Sequence, residues 1–442
     1  MRYFIDPFGC VKNQVDAETM MAFLNKEGWV SADAEQADVI IVNSCGFIES
    51  AKRESINAVI AWRAVYPHKK IVLAGCLSQR YFAELAESLT EATVIFGDKD
   101  ISNIGRAAAA ALSGERYERS AADPAAARVD EIENALPERP LLSLPGSAYV
   151  KISEGCDNRC AFCSIPFIRG GLRSRTITAI VEECTALLKR GVKELCLIGQ
   201  DIGSFGMDRG GQELPALLAA ISAIQGDFWV RLLYIHPNHF PAQILAIMRD
   251  DKRLLPYFDI PFQHGAAAVL KSMNRRQNAE DYLALLDRIR AALPDAVIRS
   301  TFLIGFPGET DEDMYELFDF QEKSSLDWLG CFTYSREENT PAYSMKNRVP
   351  KKLALARKQQ VEEKQAAITT RRMERFIGRA FDVLVEEKIR GEDLYLGRLF
   401  CHAPEVDGSA VISSGAVLEP ASFIRGKVFA RAGFDLEVAP LC

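Results

Sequence analysis

Three cysteines at a C-x3-C-x2-C spacing most limit what this 442-residue chain can fold into. Cys156, Cys160 and Cys163 come directly after residues 148–152, an apolar run with the composition of a buried strand. Three thiolates on one short loop can ligate three irons of a 4Fe-4S cube and leave the fourth iron without a protein ligand. A zinc site or a disulfide is the alternative, but zinc requires a fourth ligand, and the next histidine in the sequence is His236. The spacing therefore predicts a strand followed by a cluster-binding loop.

The chain after this loop alternates apolar, strand-like runs with helical segments. This alternation predicts an open, partial (β/α)6 barrel over residues 148–350. The predicted strands cover residues 149–153, 194–198, 230–235, 258–262, 297–304 and 329–334. Chemistry in such barrels takes place at the carboxyl ends of the strands, so the glycines and polar residues there are candidate site residues.

The first 112 residues have the pattern of a doubly wound α/β domain. Strands are predicted at residues 3–5, 39–42, 71–74 and 93–96, and helices at residues 16–25, 48–65, 80–89 and 101–112. Cys10, Cys45 and Cys76 each follow one of the first three strands. Because the carboxyl ends of parallel strands lie along one edge of a sheet, these thiols should converge. A single buried cysteine is usually a core residue, but three at equivalent strand ends favour a second iron-sulfur cluster.

Composition favours an intracellular enzyme. Eleven cysteines cannot all pair, and six of them fall into the two patterned sets, which suits metal ligation in a reducing compartment. No apolar run is long enough to span a bilayer and no signal-peptide pattern is present, so we expect a cytoplasmic protein with no membrane partner. The net charge of −7 argues against nucleic-acid binding by the whole chain.

Three further segments complete the predicted domain organisation. Residues 113–147 have scattered prolines and little apolar periodicity, which predicts a linker. Residues 351–377 predict a charged, solvated connecting helix, and residues 378–442 predict a small β-barrel of the OB-like or TRAM kind. Its strands are predicted at residues 381–385, 394–399, 410–412, 424–430 and 434–438. With ten acidic and seven basic residues, this barrel suits a basic protein partner better than RNA.

Motifs along the whole chain are similar to those of the radical SAM methylthiotransferases, where SAM is S-adenosylmethionine. The motifs are Gly9-Cys10-Val11-Lys12-Asn13, Asn43-Ser44-Cys45, Ala74-Gly75-Cys76, Ser153-Glu154-Gly155-Cys156, Arg169-Gly170, Arg173-Ser174-Arg175 and the segment 301–310. Lys12-Asn13, residues 334–338 and residues 403–408 resemble the RimO type, which methylthiolates the β-carbon of an aspartate in a small-subunit ribosomal protein. Asn339 departs from the glycine usual in the family, and asparagine tolerates a positive φ better than most residues.

The resemblance implies two 4Fe-4S clusters and SAM as cofactors. The cluster on Cys156, Cys160 and Cys163 would bind and reductively cleave SAM, the cluster on Cys10, Cys45 and Cys76 would carry the sulfur, and a second SAM would supply the methyl group. Candidate SAM contacts are Phe162, Gly199, Gln200, Gln263 and Gly305. The implied partners are a small-subunit ribosomal protein and a reductant such as a flavodoxin or ferredoxin, and tRNA is not expected to be a partner.

Two alternative functions stay open at this point. The nearer is a tRNA adenosine methylthiotransferase of the MiaB type, and the farther is a non-catalytic iron-sulfur or zinc protein that binds a ribosomal partner. Three histidines near the barrel rim, His236, His239 and His264, are as often structural as functional. The remaining cysteines are predicted to be packing or incidental residues: Cys184, Cys196, Cys331, Cys401 and Cys442.

Overall fold

The computed structural model describes residues 1–115 and 138–441. Most of the predicted linker, residues 116–137, and Cys442 lie outside the described residues. By packing, the chain divides into two units. The first comprises Met1–Leu142, Lys151–Glu183 and Ser335–Tyr343, and the second Ser143–Val150, Cys184–Tyr334 and Ser344–Cys442. The predicted bounds of the domains remain a prediction.

A five-stranded parallel sheet organises the first unit, in the order β2-β1-β3-β4-β5. The strands are β1 (Arg2–Pro7), β2 (Val30–Ser31), β3 (Val39–Ser44), β4 (Lys70–Gly75) and β5 (Val94–Ile95). The helices are α1 (Val11–Lys26), α2 (Glu49–Val65), α3 (Cys76–Arg80), α4 (Phe82–Ser88) and α5 (Ile104–Ser113). Alternate residues of β3 enter two different cores, Val39 and Ile41 on one face and Ile40 and Val42 on the other. The sheet is thus covered on both faces, which confirms the doubly wound fold.

Differences from the predicted elements have local causes. Strand β2 was missed because it pairs only two residues with β1 and is exposed. Helix α1 begins at Val11, directly after Cys10, whereas the prediction began it at residue 16. The first turn was missed because it has little apolar periodicity. The helix predicted at residues 80–89 is α4, and the short helix α3 before it was not predicted. Tyr81, with φ −126° and ψ 40°, separates the two helices.

A two-stranded antiparallel ribbon flanks the C-x3-C-x2-C segment in the first unit. It pairs β7 (Ser153–Glu154) with β8 (Arg173–Ser174), and helix α6 (Ile165–Arg169) lies between them in sequence. Helix α7 (Ile177–Lys189) follows.

Six strands form the main sheet of the second unit in their order along the chain, which is the arrangement of an open (β/α) barrel. They are β6 (Ser147–Lys151), β9 (Glu194–Ile198), β10 (Trp229–Leu232), β11 (Leu254–Asp259), β12 (Val297–Ile304) and β13 (Trp328–Thr333). The helices are α8 (Leu214–Ser222), α9 (Ile244–Asp250), α10 (Ala267–Ser272), α11 (Ala279–Ala292) and α12 (Asp311–Ser324). The partial barrel is confirmed, but β11 starts four residues before the predicted position, because Pro256 within it weakened the strand pattern.

Helix α13 (Lys351–Glu374) leads to a closed barrel of five strands in the order β14-β15-β16-β18-β17. These are β14 (Ala380–Lys388), β15 (Leu394–Arg398), β16 (Ala410–Ser413), β17 (Ser422–Ala432) and β18 (Asp435–Pro440). The predicted five-stranded barrel is confirmed. Helix α13 is more than a solvated connection, since Ala354, Val361 and Ile368 are buried on one face.

Buried ion pairs join the terminal barrel to the parallel sheet. Glu194 on β9 accepts from Arg231 Nε on β10 at 2.7 Å and contacts Arg398 Nη2 on β15 at 2.5 Å. Arg398 also donates to Glu386 on β14 at 2.5 Å. All four side chains are buried, so Arg231 has a structural role.

None of the helices in the described ranges is both long and apolar enough to cross a membrane.

Candidate functional site

The neighbouring strands β1, β3 and β4 place Cys10, Cys45 and Cys76 at one edge of the sheet. Cys10 directly precedes helix α1 and is exposed, Cys45 follows β3 and is partly buried, and Cys76 is the buried first residue of α3. A side chain at Gly9 (φ +93°) would place its Cβ 2.8 Å from Cys45 Cβ, so glycine is required where these loops meet. The predicted convergence of the three loops agrees with this geometry, and their ligand role stays a prediction.

Asn13 connects the three strand ends that carry these cysteines. Its Nδ2 donates to Phe8 O at 2.8 Å and to Ser44 O at 2.9 Å, and its own carbonyl accepts from Asn43 Nδ2 at 2.7 Å. Its Oδ1 lies 3.4 Å from Cys76 Sγ. Asn13 therefore fixes the loops after β1 and β3 relative to the thiol after β4.

Arg169 links the two cysteine-bearing regions of the first unit. It lies at the end of α6, six residues after Cys163, and its Nη2 donates to Cys76 Sγ at 3.0 Å. The same nitrogen contacts Asn13 Oδ1 at 2.9 Å and Asp16 Oδ2 at 2.8 Å. A guanidinium that donates to a thiolate stabilises its negative charge.

Three further charged residues complete a buried network around Arg169. Its Nη1 lies 3.1 Å from both carboxylate oxygens of Glu154, the residue two positions before Cys156. Lys151 Nζ donates to Glu154 at 2.9 Å and also contacts Asp16. Two cations thus balance two carboxylates in a buried cluster, and breaking one pair leaves an uncompensated charge.

Positive charge favours the thiolate form of Cys10. Its sulfur is crowded by protein atoms although the residue is exposed, and this burial acts to raise its pKa. The charges of Lys12 and Arg169 and the backbone N–H groups of Asn13 and Lys12 outweigh burial, so the pKa of Cys10 is lowered. Burial raises the pKa of Cys45, and the neighbouring Cys10 adds to that rise. Because metals bind the thiolate form, Cys10 is closer than Cys45 to the form that a metal would require.

The C-x3-C-x2-C loop has a fixed backbone. Gly155 has φ +71°, and a Cβ there would lie 2.1 Å from Gly171 O, so only glycine fits before Cys156. Cys156 is buried, and Cys163 N–H donates to Cys160 O at 3.0 Å. The loop therefore presents its three cysteines from one tight turn.

Six thiols in two sets of three have the chemistry that two 4Fe-4S clusters would require. Within residues 1–115 and 138–441, no three histidine, cysteine or carboxylate side chains are arranged to hold one ion. In a 4Fe-4S cube each thiolate binds a different iron, so its ligand sulfurs stand farther apart than those of a mononuclear site. Arg169 Nη2 donates to Cys76 Sγ, which is the kind of outer contact that orients a cluster ligand.

The SAM-contact candidates lie at the strand ends expected from the sequence. Gly199 and Gln200 follow β9, and Phe162, in the cysteine loop, is partly buried. Gln263 has φ +73° and exchanges backbone hydrogen bonds with Thr301 and Leu303 of β12. Their contact with SAM stays a prediction.

Gly305, the last candidate, has a packing role of its own. It has φ +77°, and a Cβ there would lie 2.6 Å from Ala354 Cβ on α13. Its N–H donates to Glu309 Oε2 at 2.8 Å, and Glu309 also pairs with Arg357 at 2.8 Å. The close approach of α13 therefore explains why position 305 is a glycine.

Residues in the segments that resemble the RimO type form hydrogen bonds and ion pairs in the structure. Glu337 Oε2 accepts from Arg80 at 2.7 Å and from Lys52 at 3.0 Å, and Asp407 accepts from Tyr257 at 2.6 Å. Asn339 has φ +64°, so asparagine adopts the left-handed conformation for which glycine is usual.

The three-cysteine loop and the open barrel define a radical SAM enzyme. Three family models match in succession: Uncharacterized protein family UPF0004 at residues 2–97, Radical SAM superfamily at 150–320 and TRAM domain at 377–440. The chain is 45% identical to "Ribosomal protein uS12 methylthiotransferase RimO" of Treponema denticola over 98% of this chain and 99% of the relative. It is 39% identical to the protein of the same name from Carboxydothermus hydrogenoformans over 99% of both chains. The chain belongs to the RimO family of radical SAM methylthiotransferases.

Solved structures of other radical SAM enzymes share the fold. The methyltransferase TsrM from Kitasatospora setae matches with a TM-score of 0.54 at 14% identity, covering 75% of this chain and 72% of that one. The cobalamin-dependent enzyme OxsB matches with a TM-score of 0.51 at 14% identity, covering 82% of this chain and 56% of that one. At this identity the likeness concerns the fold alone.

Sequence reasoning missed the site residues whose importance comes from geometry. Tyr234, just after β10, has φ +68°, a strained conformation that clusters at functional sites. Asp201 and His239 form a close pair after β9 and β10. The only sequence signal for either was its place after a predicted strand.

Proposed function

We propose that this chain transfers a methylthio group to the β-carbon of an aspartate in ribosomal protein uS12, and that it uses two 4Fe-4S clusters and SAM. The observation that carries the proposal is the presence, in one compact unit, of two cysteine sets connected through Arg169. A single-cluster enzyme has no need of the strand-end set. The substrate is inferred from relatives named as uS12 methylthiotransferases, which match this chain over nearly its full length.

The cysteine sets divide the chemistry. Cys156, Cys160 and Cys163 would hold one 4Fe-4S cluster, which together with SAM would supply hydrogen-atom abstraction from an unactivated C–H bond. Cys10, Cys45 and Cys76 would hold the second cluster, which would supply the sulfur. Glu154 and Arg169 orient the two loops, and Arg169 and Lys12 balance the thiolate charge. The electron comes from a small reductant protein such as a flavodoxin or ferredoxin.

The terminal barrel recruits the substrate by charge. It has ten acidic and seven basic residues, and several of the acids are exposed, including Glu387, Glu392 and Asp393. Ribosomal proteins are typically rich in lysine and arginine, so this surface attracts them and repels the phosphates of RNA.

The test offers two substrates side by side. Enzyme reconstituted anaerobically with iron and sulfide receives SAM, reductant, and either unmodified uS12 or unmodified tRNA. Mass spectrometry should find one added methylthio group on an aspartate of uS12 and no change in the tRNA. Methylthiolation of a tRNA adenosine, with uS12 unmodified, would move the chain to the MiaB type. If neither substrate gains mass although the enzyme binds iron, the result would favour a non-catalytic iron-sulfur protein.

A further inference from the structure

The loops after β9 and β10 bring two histidines and an aspartate to the carboxyl edge of the barrel. Strands β9 and β10 are paired in parallel, with Leu232 opposite Leu197, so both end at this edge. Asp201 follows β9, and His236 and His239 follow β10. In a (β/α) barrel this is the face where substrates bind.

Asp201 is a buried anion that orients the group. Its Oδ1 accepts backbone N–H groups from Gly203 and His236, both at 3.0 Å, and its Oδ2 lies 2.6 Å from His239 Nδ1. Burial acts to raise its pKa, but the hydrogen bond with His239 and the backbone N–H of His236 outweigh burial and lower it. Asp201 is thus charged, and it directs the Nδ1 side of the His239 ring toward itself.

His239 presents its other ring nitrogen away from Asp201. Its side chain is 24% exposed, and Nε2 has no hydrogen-bond partner in the part of the chain that the structure describes. The backbone of this loop is fixed, because Gln212 Nε2 donates to His239 O at 2.7 Å and to Gly203 O at 2.6 Å. With Nδ1–H directed at Asp201, the outward Nε2 of His239 donates only when the ring carries both protons.

His236 supplies a second donor beside the first. Its Nδ1 accepts the backbone N–H of Asn238 at 3.2 Å, so in the neutral ring the proton is on Nε2. Burial first, and then the charge of Arg275, lower its pKa to about 3, so the ring is neutral. Its Nε2 is buried and has no hydrogen-bond partner among the described residues. The centroids of the His236 and His239 rings lie 5.4 Å apart. A buried donor left unpaired is costly, which points to an acceptor that arrives with a ligand.

We propose that His236 and His239, oriented by Asp201, bind the side-chain carboxylate of the substrate aspartate. A carboxylate offers acceptor oxygens to both Nε2–H groups, and the cation Arg275 nearby favours an anion at this place. The carboxylate is bonded to the β-carbon that reacts, so holding it positions the C–H bond to be broken. This inference rests on the proposed function, since it requires an aspartate as the target.

The test pairs enzyme variants with substrate variants. His239→Asn keeps a donor for Asp201 and lacks the outward nitrogen, and His68→Asn makes the same change at an exposed histidine. Transfer rates are measured on uS12 that carries the native aspartate or asparagine at the target position. We expect wild-type enzyme and His68→Asn to prefer aspartate over asparagine. His239→Asn should lose about 10- to 100-fold in kcat/KM on aspartate, and with it most of the preference for aspartate over asparagine.

Two further variants keep the test decisive. His239→Gln restores a donor at the outward position and should recover part of the preference. His236→Phe keeps a ring and removes the buried donor, so it should lower kcat/KM on aspartate in the same direction. Iron content and thermal unfolding of each variant identify a protein that has failed to fold.

Two outcomes overturn this inference alone. His239→Asn could keep the wild-type preference for aspartate over asparagine, or it could lose SAM cleavage without substrate as strongly as it loses transfer, which would assign the pair to SAM. If the wild-type enzyme modifies no aspartate at all, the proposed function fails, and the inference fails with it.

Discussion

At the scale of single residues, the six cysteines and the groups around them differ in how far the sequence predicts them. The two cysteine sets were found because their spacing, and their places after strands, are visible in the chain. The contact of Arg169 with Cys76 could not be found from the sequence, because 93 residues separate the two and only the fold brings them together. The unpaired Nε2 of His236 is likewise a product of burial, which the sequence pattern of a rim histidine does not reveal.

Substituting Arg169 tests whether its positive charge supports the strand-end cluster. Arg169→Gln removes the cation from two carboxylates and a thiol, so methylthio transfer should fall about 10- to 100-fold, and the second cluster should change in EPR signal or lose iron. Arg169→Lys keeps the charge and should retain more of both. Arg53→Gln, at an exposed arginine, is the matched control. Equal losses in the Gln and Lys variants would contradict a role for charge.

At the scale of elements, strand position was predicted better than strand extent. Strands β9 and β12 have the predicted bounds, because each ends in apolar residues directly before a glycine, Gly199 or Gly305. The bounds predicted for β11 were wrong because a proline lies inside the strand, and α3, a helix of five residues, was not predicted. The ion pairs between β9, β10 and β15 depend on barrel closure and could not be predicted.

The buried Glu194 should make stability depend on acid pH. Burial raises its pKa, but Arg398 and Arg231 outweigh burial and lower it from 4.5 to about 2. The charged form therefore contributes ~3 kcal/mol to the free energy of unfolding above pH 4.5, and this contribution is lost as the pH falls toward 2. Glu194→Gln should lower stability at neutral pH by roughly 3–5 kcal/mol and weaken its dependence on pH in that window. Denaturant unfolding at several pH values checks this, with the exposed Glu392→Gln as control.

At the scale of the whole molecule, the terminal barrel has two roles: it supplies partners to buried groups of the parallel sheet, and it presents exposed acidic residues. Its Arg398 neutralises Glu194 and its Asp407 accepts from Tyr257, so deleting residues 378–442 would leave buried charges unpaired in the parallel sheet. A deletion therefore cannot separate recruitment from folding, whereas exposed charges can be changed without disturbing these buried partners.

Reversing exposed charges should weaken recruitment of uS12. Lysine at Glu387, Glu392 and Asp393 converts three exposed acids to bases and should raise KM for uS12 about 10-fold at low salt. The effect should shrink as salt screens the charges. Glutamine or asparagine at the same three positions is the matched control and should give a smaller change. A KM that does not respond to reversal would mean that the barrel surface plays no part in recruitment.

The central claim, that the two cysteine sets have separate tasks, is tested most directly by two alanine variants. Cys156→Ala should abolish reductive SAM cleavage and leave iron bound at the strand-end set. Cys45→Ala should keep SAM cleavage measurable and end methylthio transfer, while Cys184→Ala, at a buried cysteine outside both sets, should resemble the wild type. Measuring 5'-deoxyadenosine and methylthiolated uS12 in the same reactions gives both quantities. Wild-type transfer by Cys45→Ala would contradict the account.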